Sequence, residues 1–218
     1  MLIFRVLSAL LSYPTAEMRA ALPEMAEVVR DSPLIAPTQR GELLALIENL
    51  SRGDLLDAEE GYSDLFDRGR ALSLHLFEHL HGDSRDRGSA MVELKDLYRE
   101  AGFDLATSEL PDYLPVVLEY LSCRELGEAR EMLADCAHIL EVIARALIAR
   151  QSGYAGVIQA LLVIAGAQPV DAAKVPPARE RPDSIDKEWR EEPAFAGVPL
   201  GAASPVVPPE RGGRHALE

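Results

Sequence analysis

Five consecutive residues, His75-Leu76-Phe77-Glu78-His79, carry the most pointed local chemistry in the chain. They fit H-x-x-E-H, the pattern of the inverted zinc peptidases. Residues four apart share a helix face, so two imidazoles would grip one Zn²⁺ while Glu78 activates water. His81 follows two residues on. A catalytic zinc needs a third protein ligand, however, and no later motif singles one out from the many acids. The stretch Leu72-Ser73-Leu74-His75-Leu76 also alternates, which argues against a helix at His75. The plainer expectation is three partly exposed histidines around a helix end, with no metal and no cofactor.

Other reaction types leave no trace. Gly82, Gly88 and Gly102 form neither a phosphate-binding loop nor a dinucleotide fingerprint. There is no G-x-S-x-G elbow and no C-x-x-C pair. Cys123 precedes Arg124, which would lower a thiol pKa, but no histidine is near; a buried structural cysteine is expected. Arg68-Gly69-Arg70 and the run from Gly82 to Gly88 mix Arg, Asp, Ser and Gly. Arg–Asp pairing would fix the shape of such a loop. Arg85 and Arg87 would otherwise suit an anionic group, although Asp83 and Asp86 neutralise them.

Asp54, Asp57, Glu59, Glu60, Asp64 and Asp67 form an acidic run, ordinarily a solvated helix face. Tyr62, Leu65 and Phe66 sit beside it at helical spacing. They read either as core or as the apolar wall of a groove with an acidic rim. Such a groove suits an amphipathic helix bearing Arg or Lys.

The elements that must position these residues read as helices. Met132, Cys136, Ile139, Leu140, Ile143 and Leu147 follow one helical stripe, and Met91, Leu94, Tyr98 and Ala101 a shorter one closed by Gly102. Asp54 caps a helix running to Asp67, with Asp57 at its third position. Asp112 is expected to cap another, placing Pro115 at N3. Pro37 opens a helix that reaches Leu50 and ends at Gly53, and Tyr154 to Ala165 makes a final short one. About eight helices are expected, with strand signals nearly absent. The apolar start, MLIFRVLSALLSYP, lacks the leading basic region and cleavage site of a signal peptide and is too short to span a bilayer. It reads as a first core helix.

The chain has 218 residues, 48% hydrophobic and 6% aromatic. Acids outnumber bases 36 to 22, for a net charge of −14. That disfavours nucleic acid and anionic membrane surfaces as partners. Two cysteines without a framework spacing suit a reduced, cytoplasmic compartment. Composition breaks near Gln168: the remaining 51 residues hold nine of the fifteen prolines. Residues 168–218 are therefore expected to be a largely disordered tail, with one Trp189-containing island near 185–195 that docks on the body. Residues 1–167 are expected to form a single all-α helical bundle.

Two blocks resemble a known family. Tyr62-Ser63-Asp64-Leu65-Phe66-Asp67-Arg68-Gly69-Arg70 and Leu74 to Gly88 look like the signature of the respiratory nitrate reductase delta subunit, a molybdenum-cofactor assembly chaperone of the redox-enzyme maturation group. Glu109-Leu110-Pro111-Asp112-Tyr113 is similar to the E-x-P-D-[HY] motif of that wider group. Leu10-Leu11-Ser12-Tyr13-Pro14 and Trp189 to Pro193 also look like this branch. The resemblance implies an all-helical, non-catalytic cytoplasmic protein. It would bind the N-terminus of the nitrate reductase catalytic (alpha) subunit, hold the apoenzyme competent for cofactor insertion, and stay out of the finished complex. Cofactor-delivery proteins would be further partners, and another molybdoenzyme an alternative client. The resemblance assigns client-peptide recognition to Tyr62, Leu65, Phe66, Glu109, Pro111, Asp112 and Tyr113. His79, His81, Arg85 and Arg87 fall in a loop of functional or structural role.

Overall fold

Helix α1 (Leu2–Leu11) is apolar on almost every side, and seven of its ten residues are buried. A helix without a polar face belongs in the middle of a protein. The structure, a computed structural model, describes residues 1–81, 86–105 and 109–178 and places α1 there. Its main neighbour is the equally apolar α7 (Leu114–Ser122), where every residue except Glu119 is buried. The two run antiparallel: the Met1 amino group donates to the Ser122 carbonyl, and Ser8 Oγ donates to the Pro115 carbonyl at 2.8 Å.

The other helices wrap this pair. α2 (Ala16–Asp31) and α3 (Pro37–Arg52) form an antiparallel hairpin. Thr15 caps α2 by accepting from Met18 N–H at 3.1 Å. Pro37 stands at N1 of α3 and Gly53 ends it, as the spacing indicates. Next come α4 (Leu55–Phe66), a 3₁₀ turn (Arg70–Leu72), α5 (Leu76–His81) and α6 (Asp86–Glu100). Asp54 caps α4 through the Leu56 amide. Gly102 closes α6 at φ +72°, where Phe103 N–H reaches the Tyr98 carbonyl and Gly102 N–H that of Arg99. That pair of bonds is a Schellman ending, which needs a left-handed residue. After α7 come α8 (Leu126–Asp135), α9 (Ala137–Ala149) and α10 (Ala155–Ile164); α10 packs against α3, α8 and α9.

The all-α expectation holds, with ten α-helices among the described residues. The stripe from Met132 to Leu147 is two helices. Cys136 ends α8 and begins α9 at φ −91°, ψ 0°, so the stripe stays on one side across the break. The packed chain also runs past Gln168. Gln159 grips both backbone groups of Val170 at 2.8 Å, Val170 is buried, and Ala178 N–H reaches the Ala149 carbonyl. The compact unit ends at Ala178. The Trp189 island and the rest of the tail lie outside the described residues. Cys123 is exposed, not buried, because it sits at the C-terminal end of α7.

Candidate functional site

The two signature blocks meet at one junction, and Asp112 is its centre. Its side chain is fully buried. Local spacing suggests a cap for α7, but that place belongs to Tyr113, which moves Pro115 to N2. Asp112 instead caps α5 from 35 residues away. Its carbonyl accepts from Leu76 N–H at 3.1 Å and its carboxylate from Phe77 N–H at 3.0 Å. Those are the first two amides of α5, which have no partner within their own helix. The carboxylate also lies 3.3 Å from His75 Nδ1. An antiparallel bridge between His75 and Tyr113 lies alongside, and Leu114 N–H donates to the Leu74 carbonyl at 2.8 Å.

A second set of contacts ties this junction to the N-terminus. Tyr62 Oη donates to the Leu11 carbonyl at 2.7 Å and lies 3.0 Å from Tyr113 Oη. Tyr62 has one hydroxyl proton, already given to Leu11, so Tyr113 is the donor between the two rings. Burial raises the Tyr62 pKa, which keeps the phenol neutral. Tyr13, Phe66 and Tyr154 pack around the Tyr62 ring with centroids 4.8 to 6.1 Å away. From α6, Tyr98 Oη donates to the Pro111 carbonyl at 2.9 Å while its ring stacks on Tyr120.

The residues assigned to client recognition therefore fall into two groups. Tyr62, Phe66, Pro111 and Asp112 are interior, and Leu65 is half-buried against the core. Glu109 is exposed and Tyr113 half-exposed. Of the two readings of Tyr62, Leu65 and Phe66, core is the one the fold realises. The sequence places Tyr98 on a helical stripe and Leu11 in a family-like block, but neither their bonds to this junction nor the His75–Asp112 pairing could be read from it. Tyr13 was within reach, since its block already resembled the family.

The two imidazoles of the zinc pattern are committed to separate partners. His75 precedes α5 and faces Asp112, while His79 Nε2 lies 2.9 Å from the Ser73 carbonyl. A ring nitrogen bonded to a carbonyl must carry its proton and has no lone pair for a metal. No cluster of three His, Cys, Asp or Glu suited to a metal exists among the described residues. Glu78 pairs with Arg87 at 3.3 Å, and Arg70 donates to the Glu78 carbonyl at 2.8 Å. Partial burial opposes ionisation of Glu78, but the Ser73 hydroxyl and Arg87 outweigh it and its pKa is lowered. Together these groups line an open, charged cleft of about 600 Å³ between Phe66 and Arg87. Arg87 is thus engaged within the fold. The His81 side chain and Arg85 lie outside the described residues.

No helix among the described residues is long and apolar enough to cross a membrane. The family described as nitrate reductase delta subunit matches residues 14–159. The chain is 42% identical to the nitrate reductase molybdenum cofactor assembly chaperone NarJ of Escherichia coli K12, over 86% of this chain and 81% of that one. It is 32% identical to a protein of Bacillus subtilis 168 named as a probable chaperone of the same kind, over 73% of this chain and 85% of that one. The nitrate reductase-like protein NarX of Mycobacterium tuberculosis H37Rv is 30% identical over 73% of this chain, which spans 24% of NarX. On this agreement across both signature blocks, the chain belongs to the nitrate reductase delta subunit family.

Proposed function

We propose that this protein is an assembly chaperone dedicated to a respiratory nitrate reductase. It binds the N-terminal region of the catalytic subunit, keeps the apoenzyme open while the molybdenum cofactor is inserted, and then leaves. The observation that carries the reading is family membership over most of the chain, with relatives named for cofactor assembly. The family is one of maturation chaperones and not of catalysts. The junction is consistent with that: its polar groups bond to one another, and its buried members shape the body rather than meet a substrate. Within this reading Tyr62, Phe66, Pro111 and Asp112 are framework residues. Glu109 and Tyr113 are the members of the set that a client can touch.

The protein works in the cytoplasm, where the apoenzyme is made, with cofactor-delivery proteins as further partners. The net charge of −14 favours a basic client segment. The direct test is molybdenum content. Catalytic subunit purified from cells lacking this chain should be nearly free of molybdenum, and restoring the chain should restore the metal. Full metal loading without it would sink the proposal. Loading of a different molybdoenzyme alone would point to the alternative client.

A further inference from the structure

Gln159 is the one side chain of α10 able to hydrogen-bond; the rest of that helix is apolar or glycine. It is buried, and a buried amide costs free energy unless both its oxygen and its nitrogen are paired. Its partner is not on a helix at all. Nε2 donates to the Val170 carbonyl and Oε1 accepts from the Val170 N–H, both at 2.8 Å. The chain turns back to reach it. Gly166, at φ +80°, closes α10 while Ala167 N–H bonds to the Leu162 carbonyl.

Residues 166–178 then form a strap that holds the body at few points. Val170 is its one buried residue, and Ala167 and Val175 are half-buried. Much of its remaining polar bonding is internal: Asp171 accepts from the Ala173 amide at 3.1 Å and pairs with Lys174 at 3.2 Å. Pro169, Pro176 and Pro177 have no N–H to give. The second anchor is the bond from Ala178 N–H to the Ala149 carbonyl at the end of α9.

We propose that α10 and the end of α9 form a site for an extended peptide, and that the strap is its tethered, displaceable occupant. The inference does not depend on the chaperone reading. Gln159 reads a peptide backbone, which every residue but proline offers, and the buried seat of Val170 selects a small branched side chain. Main-chain bonds for grip and a side-chain pocket for choice are the usual division in recognition of extended peptides. The partner that fits is therefore an extended segment with valine or a close relative at its centre. A short tether keeps the strap at an effective concentration of about millimolar, so the site is closed in the free chain. A competitor enters only while the strap is out.

The test uses the full chain and a synthetic peptide of residues 166–178. Val170→Asp should expel the strap and lower the melting temperature by roughly 4–8 °C. The peptide should then bind this variant saturably and recover at least half of the loss. The parent, whose site is filled, should bind it at least tenfold more weakly. Gln159→Met added to Val170→Asp keeps the side chain's length, removes the clamp and should abolish binding. A folded Val170→Asp that ignores the peptide overturns the site, as does binding that survives Gln159→Met. Should Val170→Asp not fold, hydrogen exchange in the parent decides. The Val170 amide should exchange through a local opening that low urea barely changes, while the α7 amides follow global unfolding. A Val170 amide that exchanges only with the α7 amides overturns the displaceable strap.

Discussion

Replacing Asp112 takes an acceptor from two groups at the start of α5, the Phe77 amide and the His75 ring. Asp112→Ala should cost about 2 kcal/mol, since removing one partner of a buried hydrogen bond costs about 1–3 kcal/mol. Asp112→Asn keeps one good acceptor and should cost about half as much. Urea denaturation of the two variants checks the order, and equal stability of Asp112→Ala and the parent would remove Asp112 from its central place. His75 adds a pH dependence. The hydrogen bond to Asp112 raises its pKa, partial burial opposes this, and the charges of Asp112 and Glu78 add to the rise. A raised folded-state pKa means the protonated ring stabilises the fold. That contribution is fully present below the unfolded histidine value of about 6.5 and is lost as pH rises through the higher folded value. Stability curves of the parent and His75→Gln should therefore differ most at mildly acid pH and converge in the alkaline range. Parallel curves would contradict the pairing. None of this was legible from local spacing, because Asp112 lies 35 residues from the helix it caps. A carboxylate before a helical stripe is read as the cap of its own helix.

Helix ends and helix identities were more readable than helix partners. Asp54 and Pro37 stand at their helix starts as read, because capping is decided within four residues. Gly102 stands at φ +72° for the same local reason. The break at Cys136 escaped notice because its near-helical backbone keeps the apolar stripe in phase. At α5 the alternation before His75 and the helical spacing after it were both real, and the bridge to Tyr113 divides them. The interhelix seams carry a prediction of their own. A methyl group added at Gly156 of α10 would stand 2.7 Å from Glu42 Cβ on α3. Neither atom is a flexible tip, so the helices must part. Gly156→Ala should destabilise by about 1–3 kcal/mol despite its gain in helix propensity, as overpacking does. A melting temperature at or above the parent's would mean the α3–α10 seam has room to spare.

At the scale of the whole molecule, the negative charge acts on encounter before any contact forms. If it steers a basic client, the association rate should fall as salt rises through the range where the Debye length shrinks below ~10 Å, while dissociation changes little. Stopped-flow rates at several salt concentrations decide it; a rate indifferent to salt would sink steering while leaving the chaperone intact. The pairing of α1 with α7 sets a different clock. Ser8 and its Pro115 acceptor are 107 residues apart, and Tyr62 waits 51 residues for Tyr113. At about 5–20 residues per second of synthesis, α1 is born roughly 5–20 s before the helix that covers it. For that interval the apolar α1 lacks the helix that covers it. The chaperone passes through the same vulnerable stage from which it is proposed to shield its client.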